Sequence, residues 1–159
     1  MPSPGELRAH MHQYVDFLPT LQEVDGGLWT APMGPGQWSM HDVVAHILGW
    51  DRNCLEKPLR RFRAGLPTAF AETVDFEAFN RRAVACGRGL SQAGLLREAI
   101  QVRGELIRQL DAIPDAAFSE APGPGLCLAQ FLDELFVQHD RHHQEQLRAF
   151  LARRPASLP

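Results

Sequence analysis

Apolar positions recur every three or four residues along most of the chain, a spacing that predicts amphipathic helices. The first helix runs from about Pro4 to Val24 and carries Leu7, Met11, Tyr14, Leu18 and Leu21 on one face, with Pro19 inside the pattern as a kink. Asp25 to Gln37 holds Gly26-Gly27 and Pro32-Met33-Gly34-Pro35-Gly36 and reads as a surface connection. Ser39 is placed to cap a second helix, with Asp42 three residues later to complete a capping box and Trp38 ahead of it as a hydrophobic staple. That helix presents Val43, Val44, Ile47, Leu48, Trp50, Cys54 and Leu55, bends at Pro58 and continues to about Arg63.

Ala64 to Val74 reads as a loop. Asp75 to Cys86 reads as a short helix with Phe76, Phe79 and Val84 inward, broken by Gly87-Arg88-Gly89. Ser91 caps a third long helix with Leu95, Ile100, Val102, Leu106, Ile107, Leu110 and Ile113 at its apolar positions, ended by Pro114. After the Pro122-Gly123-Pro124-Gly125 turn, a last helix spans about Cys127 to Ala152, with Leu128, Phe131, Leu132, Leu135, Phe136, Leu147, Phe150 and Leu151 on its apolar side. No segment alternates with period two. Four long amphipathic helices and a short one predict an all-α four-helix bundle, and the connections at 25–37 and 64–90 are long enough for a crossover. A length of 159 residues fits a single domain spanning 1–159.

Composition narrows the function classes. Sixteen Lys+Arg against 19 Asp+Glu give a net charge of −3, with Lys57 the only lysine, so nucleic acid is not an expected partner. No run approaches the length of a membrane span and the first dozen residues hold no apolar signal segment, which points to a cytoplasmic protein with no membrane partner. Cys54, Cys86 and Cys127 are odd in number and widely spaced, with no C-x-x-C, so each reads as a small buried or half-buried hydrophobe in a reducing compartment.

The histidines carry the candidate chemistry. His139 and His143 lie four residues apart on the last helix, in phase with Phe136 and Leu147, so both imidazoles point to the core side. His46 sits among Val43, Ile47 and Trp50 on the second helix. A buried imidazole without a partner costs about 1–3 kcal/mol per unsatisfied group. A divalent cation shared by two histidines in i, i+4 register and a third ligand removes that cost and leaves a coordination position open for water or substrate. The competing reading is a metal-free bundle whose core histidines are satisfied by hydrogen bonds. His142 can replace His143 by spacing, although Asp140, Arg141, Gln144 and Glu145 place the exposed face close by. His10, His12 and His41 read as solvated, and Asp42 as a cap before a partner for His46. Trp38 and Trp50 are candidate pocket walls, with core packing as the plainer role, and Gln146 a candidate polar lining residue. No phosphate-binding loop, dinucleotide fingerprint or G-x-S-x-G is present.

Gln37-Trp38-Ser39-Met40-His41-Asp42-Val43-Val44-Ala45-His46-Ile47-Leu48-Gly49-Trp50 and His139-Asp140-Arg141-His142-His143-Gln144-Glu145-Gln146-Leu147 together resemble the second-helix and last-helix motifs of the DinB/YfiT-like superfamily. The resemblance covers nearly the whole chain. It implies an up-down-down-up four-helix bundle, commonly a homodimer, and a divalent ion such as nickel or zinc on His46, His139 and His143. It also implies a small-molecule substrate and a bacillithiol-, mycothiol- or glutathione-type thiol cofactor, as in thiol S-transferases and isomerases of the family. Trp50, His142 and Gln146 are expected around the pocket. Two alternatives stand beside the transferase: a metal-dependent hydrolase, which lacks an H-E-x-x-H base, and a non-catalytic metal-containing stress-response or binding module.

Overall fold

A computed structural model describes residues 1–67 and 74–153. Part of the expected Ala64–Val74 loop, and the chain after Arg153, lie outside the described residues. Helix α1 spans Pro4–Phe17, and its Ser3 cap and Glu6 form a capping box. Helices α3 (Met40–Glu56) and α6 (Gln92–Asp111) start at Ser39 and Ser91, each accepting a backbone N–H three residues on. The short helices α2 (Gly26–Thr30), α4 (Pro58–Arg63) and α5 (Phe76–Gly87) join them, followed by α7 (Leu128–Leu132) and α8 (Gln138–Ala152). Among the described residues there is no strand, only an isolated bridge between Pro32 and Ser39.

Side-chain bonds between helix ends give the topology. Arg8 at the start of α1 reaches the Leu110 and Ile113 carbonyls at the end of α6, and Gln92 at the start of α6 donates to the carbonyls of Leu21 and Val24. These helices are antiparallel. Helices α3 and α6 are parallel, since Asp42 meets Arg88, Asp51 meets Arg103, and Arg63 beyond α3 meets Gln109. Met1 lies beside Cys127 and Phe17 under Arg148, so the last helix runs parallel to α1. The result is an up-down-down-up bundle. Two parallel neighbours need a crossover, and the segment holding α4 and α5 supplies it.

Several expectations shift in physical detail. The first helix stops at Phe17 and continues as a 3-10 turn over Leu18–Leu21, because Pro19 has no N–H to extend the α ladder. The Asp25–Gln37 connection contains α2, which Asp25 caps through the N–H groups of Gly27 and Leu28. Phe76 is 43% exposed and not inward, and Ile100 and Val102 are only half-buried, while Leu96, Ala99 and Arg103 take the core face of α6. Cys54 and Cys127 are buried, but Cys86 is exposed on α5. No helix among the described residues is long and apolar enough to cross a membrane.

The last helix is not continuous. Asp133–Val137 forms a π turn between α7 and α8. The buried positions are Leu128, Ala129, Phe131 and Leu132 before it, and Phe136, Val137, Asp140, His143, Gln144 and Leu147 after it. The second set lies one residue further along than an unbroken 3.6 period places it, as a π turn requires. Asp140 and Gln144, which read as exposed in sequence, therefore face the core, and His139 moves to its edge.

Helix α5 packs closely on α3 through small residues. A Cβ on Gly49 would lie 2.5 Å from the Cβ of Ala83, and one on Gly87 would overlap Ala45. Gly104 on the outer face of α6 has nothing within 4 Å. Gly49→Ala is expected to destabilise the fold by about 1–3 kcal/mol, and Gly104→Ala to stabilise it by about 0.4–1 kcal/mol. Urea unfolding of both variants checks this; shifts of the same sign would refute the close helix contact.

Candidate metal centre

Helix α3 carries His46 and α8 carries His139 and His143 into one cluster. The His46 Nε2 lies 2.7 Å from the His139 Nε2, which lies 3.2 Å from the His143 Nε2. Among the described residues these three form the group able to hold a metal ion, their ligand atoms all within 4.8 Å of one another. His142 is exposed, its ring centred 5.1 Å from that of His143, and is not one of the converging donors.

Hydrogen bonding fixes how the donors point. The Gln146 Oε1 lies 3.0 Å from the His143 Nδ1. An amide oxygen only accepts, so that Nδ1 carries the proton and the Nε2 lone pair faces the cluster. The His46 Nδ1 is buried without a hydrogen-bond partner. Protonation does not relieve the crowding of the nitrogens. Burial, reinforced by the neighbouring imidazoles, pushes His46 down to about 3 and His139 down to about 4. Burial lowers His143 as well. Three neutral imidazoles with convergent nitrogens are compatible with binding a divalent metal ion.

The cluster lies at a cavity of about 340 Å³. Its apolar lining comprises Trp38, Trp50, Phe76, Leu135 and Phe136, and its further polar lining is Asn80 and His142. The Trp38 ring is tilted over His46 at 4.9 Å, and Trp50 stands edge-on to it at 6.5 Å. The Trp50 Nε1–H donates to the Asn80 Oδ1 at 3.0 Å, tying α3 to α5 at the wall. Gln146 does not line the cavity and acts on it through His143.

Beneath the histidines lies a polar network that the sequence reading did not single out. Arg103 on α6 donates through Nε and Nη2 to both oxygens of Asp51 on α3, at 2.9 and 2.8 Å. Through Nη1 and Nη2 it donates to both oxygens of Asp140 on α8, at 2.5 and 3.2 Å. All three side chains are 0% exposed. Tyr14 covers the guanidinium, whose Cζ lies 4.4 Å from the ring centre. A signal was available for two of the three: Asp51 and Arg103 fall in phase with the apolar stripe of their helices, where a charge needs a partner, whereas Asp140 comes into phase only through the π turn.

The remaining histidines depart from expectation. His41 is buried, accepting at Nδ1 from the Trp29 Nε1–H at 2.6 Å and donating from Nε2 to the Gly87 carbonyl at 2.8 Å. It pins α2 and α5 to the start of α3. His10 is also buried, its Nε2 unpartnered. His12 is exposed as expected. Asp42 caps α3 and pairs with Arg88, leaving His46 to other neighbours.

A family model described as DinB superfamily matches residues 10–147. No curated protein matches, and no solved structure matches.

Two predictions follow from the buried charges and imidazoles. Arg103→Met leaves two buried carboxylates without their cation and is expected to cost about 3–5 kcal/mol in urea unfolding; a loss below 1 kcal/mol would show that the network is not dry. Unfolded histidine titrates near 6.5, whereas His46 and His139 titrate at about 3 and about 4 in the fold. Between those values the unfolded chain binds more protons, so these groups make the metal-free protein more stable as pH rises toward 6.5. Asp51, raised by burial to about 6, acts in the opposite direction over an overlapping range. The histidine share is therefore read as the difference in slope between the wild type and His46→Ala, the wild type having the more positive slope of stability with pH.

Proposed function

The chain belongs to the DinB superfamily, and from that premise we propose that it is a divalent-metal enzyme that transfers a low-molecular-weight thiol to an electrophilic substrate. The observation that carries this reading is the convergence of the Nε2 atoms of His46, His139 and His143 at a cavity large enough for a small molecule. A divalent ion held by three neutral donors retains an open position and supplies Lewis acidity, lowering the pKa of a thiol that reaches it.

The protein's own part is to prepare that position. Burial keeps the imidazoles unprotonated at neutral pH, and the Gln146 contact fixes the His143 tautomer. The aromatic walls limit water around the reacting sulfur. We assign the metal as nickel or zinc and the working state as a cytoplasmic homodimer, a setting in which the free Cys54, Cys86 and Cys127 stay reduced.

Hydrolysis is less favoured by the lining. Among the described residues no carboxylate faces the cavity, and the nearby Asp51 and Asp140 are both engaged by Arg103, which leaves His142 as the base that the described lining offers to a water. A non-catalytic stress-response module retains the same donors and differs only in turnover.

Elemental analysis of untagged protein is expected to give about one zinc or nickel per chain, with His139→Ala losing most of it. The loaded wild type should then consume low-molecular-weight thiol with an electrophile faster than the metal-free protein. Metal without thiol consumption across several thiols and electrophiles would favour the non-catalytic module. Absence of metal after incubation with either ion would sink both readings.

A further inference from the structure

The cavity's lining says which kind of thiol the centre accepts, an inference that rests on the thiol reading above. Among the described residues no Lys, Arg, Asp or Glu lines it. Trp38, Trp50, Phe76, Leu135 and Phe136 offer apolar surface, and beyond the three clustered histidines only Asn80 and His142 add polar groups. The Asn80 Oδ1 accepts from the Trp50 indole and the side chain also interacts with His46, so its amide N–H groups are what that residue has to offer a ligand's acceptor.

Behind the imidazoles the charge balance is also unfavourable to anions. Asp51 and Asp140 share the single cation Arg103. Asp140 directly follows His139 on α8, so this carboxylate and the Arg103 cation it pairs with lie close behind the cluster. A divalent ion would bring two positive charges; the net negative charge of Asp51 and Asp140 against Arg103 offsets one, and the ionised sulfur of a ligand offsets the other. A second negative charge on its body would lie against apolar walls with no partner, at a substantial desolvation cost.

We infer that the centre selects thiols whose body is uncharged, with a flat or apolar face for Trp50 and Phe76 and a hydrogen-bond acceptor for Asn80, and rejects thiols whose body carries a carboxylate. The Trp50 and Phe76 rings, 5.6 Å apart and tilted by 36°, form one continuous aromatic wall for such a body.

The test uses the full chain loaded with cobalt(II), and two thiols of matched size, 4-(mercaptomethyl)benzamide and 4-(mercaptomethyl)benzoate. Binding is read from the sulfur-to-cobalt charge-transfer absorption at about pH 8, where ordinary imidazoles are neutral. The benzamide is expected to bind at least about tenfold more tightly than the benzoate. Leu135→Lys, which puts a cation into the wall, should bring the two within about threefold of each other. Equal or tighter binding of the benzoate by the wild type, or benzoate binding without a sulfur band, overturns this inference while leaving the thiol reading intact. Failure to take up cobalt, or no sulfur band with either thiol, overturns the thiol reading and this inference together.

Discussion

The contact between Arg103 and its two carboxylates constrains the rest of the bundle. Three fully buried charges from α6, α3 and α8 are stable only while all are paired, because an unpaired charge in that interior costs several kcal/mol. Such a network adds little net stability over an apolar core, but it tolerates one register. Sliding α3 or α8 by a turn would strand a carboxylate. The network also marks a level in the core. One apolar cluster holds Val43, Leu48, Leu95 and Leu147, and the other holds Cys54, Leu106, Phe131 and Phe136. Along each helix the charged residue falls between the two clusters. Asp140 directly follows His139, and Asp51 lies five residues after His46, so the interaction that registers the helices also registers the imidazoles.

The π turn in the last helix makes this arrangement possible. An unbroken helix in phase with Leu128 and Phe131 would put His139 and His143 together on the core face and leave Asp140 outside. The extra residue in Asp133–Val137 rotates the following segment, so Asp140 turns inward to Arg103 while His139 lies at the core edge beside the cavity. Local helix geometry is given up for a few residues in exchange for a satisfied guanidinium and an accessible donor, which is the usual context of a π turn near a functional site.

Much of this was legible in the sequence, and the gaps have physical causes. The capped starts at Ser39 and Ser91, the bundle and its crossover, and the pairing of His46 with the His139 and His143 helix all follow from local periodicity and the two family motifs. What periodicity cannot carry is the partner of a residue distant in sequence. His41 reads as solvated because neither Trp29 nor the Gly87 carbonyl is visible from its own helix. Asp140 and Gln144 read as exposed because the phase was carried through a turn that breaks it. Phe76 reads as core because an apolar stripe does not distinguish packed interior from the wall of an open cavity. Arg103 is not singled out by its own helix because the two carboxylates that pair with it lie on other helices.

In the proposed metalloenzyme, metal and ligand preference would come from the same property of the site. Burial depresses the imidazole pKa values, which keeps three lone pairs free for a cation at neutral pH. The cation would then hold two positive charges on donors that contribute none. Asp51 and Asp140 do not reach the cation, since their oxygens are turned to Arg103, and their net charge with Arg103 offsets only one of the two. The remaining negative charge would then enter at the open position, a requirement that an ionised sulfur meets and a neutral ligand atom does not. Once that charge is in place, the described lining, which includes no Lys or Arg, offers no cation for another. Low dielectric thus acts twice at this site: it favours ionisation of the atom bound at the centre, and it penalises ionisation anywhere else on the molecule that carries that atom.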